Sequence, residues 1–155
     1  MIAHFSKTKK QGFTLVEVLI VGLLFVILLI FALSFSGSYI AKYQLIKEQD
    51  KLINDLKKSQ NLSINAQDGK KYGLNLGSNN YVLMSETEDI KTKQLNSSIS
   101  ITENNCFGSE VWFEKLTGKL ENDSSCSFKL QDSKLYTLIE INSSGLIKFS
   151  NPKKL

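Results

Sequence analysis

From Phe13 to Phe35 the chain reads FTLVEVLIVGLLFVILLIFALSF, 23 residues with a single charge, Glu17. No other stretch constrains the fold as strongly. A helix rises about 1.5 Å per residue, so a run of this length can cross a hydrocarbon core of roughly 30 Å. It is apolar on every face, as a helix surrounded by lipid or by other such helices must be. An ionised carboxylate near mid-bilayer costs about 2.5–3.5 kcal/mol or more, so Glu17 marks a functional position by default. It lies four residues after Phe13, about one helical turn.

The preceding residues, MIAHFSKTKKQG, carry Lys7, Lys9 and Lys10 and no acid. The positive-inside rule keeps this end in the cytoplasm and sends the rest outward. A cleaved secretory signal fits poorly, because the apolar run exceeds the usual h-region of about 7–15 residues and lacks a small-x-small exit. A plain signal anchor with a stray acid is the other structural alternative.

The segment Gly12-Phe13-Thr14-Leu15-Val16-Glu17, behind a basic leader and inside a hydrophobic run, resembles the processing site of type IV prepilins and pseudopilins. The resemblance implies that prepilin peptidase cleaves between Gly12 and Phe13 and methylates the new amine. It also implies assembly with other pilins through the helix, with Glu17 accepting the charge of a neighbour's Phe13 amine. Such a pair in low dielectric is attractive but heavily desolvated. Its use is therefore register: a subunit enters the fibre at the height that pairs Glu17. Many major pilins have a kinking proline further along; here Ser34 stands at that place and the only proline is Pro152. A continuous or softly bent helix is expected.

Beyond the leader and the span about 115 residues remain, one small domain. The net charge is +4, and removal of three leader lysines leaves about +1, so overall charge does not indicate a nucleic-acid protein. Every fixed cation is lysine, which lacks the planar fork suited to bidentate phosphate contacts. Cys106 and Cys126, placed outside the cytoplasm, read as a disulfide, with two free buried thiols as the alternative. The single histidine, His4, is in the leader. No nucleophile elbow, phosphate loop or cysteine–histidine pair appears, so no enzyme, metal or cofactor is expected.

From Tyr39 to about Leu62 the pattern is amphipathic. Leu45, Leu52, Ile53 and Leu56 recur at helical spacing, with Ile46 beside them. Lys47, Gln49, Asp50, Lys51, Asp55 and Lys58 are expected on the outer face, with Lys51–Asp55 and Asp55–Lys58 as surface pairs. One helix from Thr14 to about Asn61 would measure roughly 70 Å.

After Asp68-Gly69 the period becomes two. Tyr72–Leu76 and Tyr81–Met84 predict a hairpin across Gly77–Asn80. Further strands are expected at Ile99–Thr102, Glu110–Glu114, Ser127–Leu130, Leu135–Ile141 and Leu146–Phe149, about seven in all. Residues 85–96 are expected as a loop and 151–155 as a loose tail. The aromatics Tyr72, Tyr81, Trp112, Phe113, Phe128, Tyr136 and Phe149 are expected to fill the core.

The result is a pilin-like α+β chain: leader 1–12, transmembrane and assembly helix 13–38, amphipathic half 39–62, and an extracytoplasmic antiparallel β-rich domain 63–155. The strand set is similar to that of H-type minor pseudopilins of type II secretion and their type IV pilus relatives. The resemblance implies a single-pass cytoplasmic-membrane protein that later enters a fibre. A second function reading is a DNA-uptake pilin touching nucleic acid through Lys148, Lys153 and Lys154. A solvated tail is the plainer account of those lysines.

Overall fold

The computed structural model describes residues 14–121 and 124–155, with side chains at all of these except 32–38. Gly12 and Phe13 therefore lie outside the described residues. The protein is α+β: among the described residues one α-helix, α1 (Leu15–Ile64), precedes nine strands in antiparallel sheets. It divides into two compact units, 1–38 and 39–155.

In the first unit every described side chain from Thr14 to Phe31 is exposed, and Glu17 is the only charge among them. Among the described residues no helix is long and apolar enough to cross a membrane. The span expected over 13–35 begins and ends outside the described side chains.

The second unit is organised on the remainder of α1. Leu45, Leu52, Ile53 and Leu56 are buried, as their spacing requires, each such side chain contributing about 1.5–3 kcal/mol. The helix ends where Ala66 adopts φ 42°, followed by Asp68 and Gly69 at φ 55° and 66°, left-handed positions that stop helical propagation. Ser63 Oγ accepts the Tyr72 N–H at 2.8 Å, which ties the helix end to the first strand.

Strands β1 (Tyr72–Leu76) and β2 (Asn80–Ser85) form the expected hairpin, closed by a 2.9 Å bond from Gly77 N–H to Asn80 O. With β3 (Asp89–Gln94) and β5 (Glu110–Phe113) they make a four-stranded sheet in the order β3-β2-β1-β5. A second sheet holds β4 (Ser100–Thr102), β6 (Cys126–Gln131), β7 (Leu135–Ile141) and β8 (Ile147–Phe149) in the order β4-β6-β7-β8. There β9 (Lys153–Lys154) also pairs with β7. The sheets are joined where Ile101 N–H donates to Ser78 O at 2.8 Å. Inner residues of both, among them Leu74, Tyr81, Phe113, Phe128 and Ile139, form one core with the helix.

Several expectations are corrected. The polar stretch 85–96 contains β3, and the supposed loose tail contains β9. Both are edge segments whose strand state comes from pairing with β2 and β7 rather than from their own hydrophobic pattern. Gln49 and Asp55 are buried, because sheet and C-terminal segment cover more of the helix than its apolar stripe. Gln49 Nε2 donates to Ser150 O. Lys51 pairs with Glu48 at 2.6 Å, not with Asp55. Phe149 is exposed, and Trp112 and Tyr136 are only half-buried on outer sheet faces.

Candidate functional site

Glu17 sits in the first turn of α1, three residues after Thr14. Its N–H lies 3.3 Å from Thr14 Oγ1 and 3.1 Å from Thr14 O. Thr-x-x-Glu is the spacing of a capping box, in which the threonine satisfies an orphan amide of the first turn. Here the Thr14 hydroxyl accepts the Glu17 N–H, which is the threonine's half of that motif. The carboxylate also suits the positive end of the helix dipole.

Cys106 and Cys126 form a disulfide with Cα atoms 4.7 Å apart. The bridge pins the loop before β5 to the first residue of β6. Lys148, Lys153 and Lys154, grouped in the sequence, are exposed but spread along β7: Lys148 stands opposite Glu140, and Lys153 and Lys154 opposite Tyr136 and Leu135. An acid therefore accompanies Lys148.

Two polar clusters were not anticipated. One is buried. Asp55, on α1, accepts the Tyr81 hydroxyl at 2.7 Å and Lys93 Nζ at 2.6 Å and 2.9 Å. Burial, then the bond to Asp55, holds the Tyr81 hydroxyl protonated well above the ordinary range for a phenol. The aspartate thereby joins helix, β2 and β3.

The other lies on the outer face of the first sheet. Along β5, Val111 and Phe113 point into the core, so alternation sends Glu110 and Trp112 outward. Trp112 pairs in register with Gly73 of β1 and Glu110 with Asn75. A Cβ on Gly73 would fall 2.8 Å from the indole ring, so the missing side chain is what seats it. The indole N–H donates to Glu110 Oε2 at 2.7 Å, and Asn75 Nδ2 donates to Oε1 at 3.3 Å. Lys71 Nζ lies 5.4 Å from the ring centroid and pairs with Glu121 at 2.6 Å. A cavity of about 270 Å³ opens here, walled by Phe107, Glu110, Trp112, Leu120, Glu121 and Cys126. No family model matches the chain, and neither a curated protein nor a solved structure does.

Among the described residues no group of three metal-ligating side chains converges. Elsewhere, Lys115 donates to Glu86 and holds its carboxyl below the usual range, a surface effect.

Proposed function

We propose that this chain is a minor pilin or pseudopilin, a structural subunit of a type II secretion pseudopilus or a type IV pilus. The observation that carries the reading is the start of α1: an exposed helical surface from Leu15 to Phe31 that is apolar but for one carboxylate in its first turn. Such a surface requires a nonaqueous cover, since apolar area left in water costs about 25 cal/mol per Å². Lipid supplies that cover before assembly and neighbouring helices supply it afterwards. Prepilin peptidase cuts after Gly12 and methylates Phe13, and Glu17 meets the Phe13 amine of an adjacent subunit. The chain is inserted once in the cytoplasmic membrane with its β-rich unit outside, where the disulfide persists.

Intact-mass spectrometry of protein from the membrane fraction tests this. The expected species lacks residues 1–12 and carries one N-terminal methyl group and one disulfide. A chain that keeps its leader and stays monomeric in the bilayer overturns the reading.

A further inference from the structure

The cavity beside the disulfide has the construction of a binding site. Its aromatic wall is fixed in advance: Trp112 is seated on Gly73, held through its N–H by Glu110, and flanked by Lys71. Phe107, 82% exposed, also lines it. Its loop is stapled by Cys106 and shaped by consecutive left-handed residues, Gly108 at φ 61° and Ser109 at φ 63°. A non-glycine residue held in that region costs about 1–3 kcal/mol and persists only where surrounding structure enforces it.

The charge in the cavity is unevenly compensated. Glu121 has Lys71 as its partner. Glu110 is held by two neutral donors, the Trp112 indole and the Asn75 amide, and makes no ion pair among the described residues. Its carboxylate lines the same cavity as Trp112 and Phe107. A cation beside a carboxylate and an aromatic face is favoured by both.

We propose that this cavity binds a single alkylammonium or alkylguanidinium group, with Glu110 as its counter-ion and Trp112 and Phe107 as its walls. The volume suits one such side chain or one end of a small amine. The proposal concerns the 39–155 unit and does not depend on the fibre reading.

Trp112 is the only tryptophan in the chain, so its fluorescence reports on the site directly. The full-length protein in a non-ionic detergent is titrated with n-butylammonium, spermidine, a blocked Gly-Lys-Gly peptide, and blocked norleucine amide as the neutral isostere. A saturable change is expected with the cations, weakening as salt rises, and none with norleucine. Tighter binding of the peptide than of spermidine assigns the cation to a partner chain; the reverse assigns it to a free amine. Glu110→Gln keeps an acceptor for the indole and the fold but removes the charge, and should weaken cation binding at least tenfold. Absence of a saturable response to any cation, an equal response to norleucine, or unchanged binding in Glu110→Gln overturns the proposal.

Discussion

The Tyr81 hydroxyl donates to Asp55 Oδ2 at 2.7 Å across the interface between α1 and β2. Lys93 reaches the same carboxylate from β3, so a single acid on the helix holds two strands of one sheet. Asp55 is only 8% exposed, whereas Lys93 is a third exposed and can partly rehydrate. Asp55→Ala should therefore destabilise the unit by about 1–3 kcal/mol, below the figure for a fully buried pair. Tyr81→Phe should cost about 1–1.5 kcal/mol, and the double mutant should fall short of the sum. Urea unfolding followed through Trp112 checks this, and strict additivity would remove the claim that the groups act together.

Tyr81 also sets a limit at alkaline pH. Its folded pKa is raised from the ordinary value of 10.0, by burial first and then by Asp55. Above about pH 10 the unfolded phenol releases its proton while the folded one keeps it, so the unfolded state binds fewer protons and stability falls as pH rises. The contribution is complete below that pH and is lost progressively above it. Tyr72 is shifted in the same direction and leaves a residual slope. The expected result is a shallower loss of stability between pH 10 and 11 in Tyr81→Phe than in the parent, measured by unfolding at each pH; parallel curves would contradict it.

The Cys106–Cys126 bridge closes a sequence separation of 20. Chain-entropy reasoning gives about 3 kcal/mol for such a loop, so reduction or a double serine substitution should lower the unfolding free energy by that amount. The same treatment should release Phe107 from its wall and shift Trp112 emission, because the bridge anchors the residue before Phe107. Loss of stability without a spectral shift would separate the staple from the cavity.

Gly145 lies at φ 83°, and a Cβ there would strike the Gly118 carbonyl. Gln60 of α1 donates to both Gly118 O and Gly145 O, at 2.9 Å and 2.8 Å, so two turns converge on one helix side chain. Gly145→Ala combines backbone strain with a clash and should cost about 2–4 kcal/mol. Gln60→Ala removes the shared donor and should cost about 1–3 kcal/mol. Thermal unfolding of the two variants tests the order, with the glycine change the more damaging.

Where hydrophobic pattern and burial coincide, the fold was legible from residues alone. Leu45, Leu52, Ile53 and Leu56 marked the helix face, and Tyr72–Leu76 with Tyr81–Met84 marked the hairpin. The failures share a cause. In β3 the only large apolar residue is Ile90, so nothing local distinguishes it from a loop until β2 pairs with it. Asp55 and Gln49 looked like surface because polarity stood in for exposure, yet each is buried against a partner far along the chain. Trp112 was assigned to the core by residue type, although its alternation with Val111 and Phe113 already put it on the other face. The Thr14–Glu17 capping spacing was readable and was overlooked in favour of Glu17 alone.

On the proposed fibre reading Glu17 pairs with a neighbour's amine, and substitutions separate that role from its place in the first helical turn. At the third position of a Thr-x-x-Glu start, glutamine serves as well as glutamate. As the partner of a neighbour's amine Glu17 needs a negative charge. Thr14→Ala should weaken the helix start by about 0.5–2 kcal/mol and leave assembly in place. Glu17→Gln should leave the helix start and leader cleavage intact, yet abolish entry into the fibre, because a neutral amide cannot neutralise a buried ammonium. Both are read by comparing leader removal in the membrane fraction with recovery of the subunit in sheared fibres. If Glu17→Gln assembles like the parent while Thr14→Ala does not, the acid serves the helix terminus alone and the intermolecular pair is refuted.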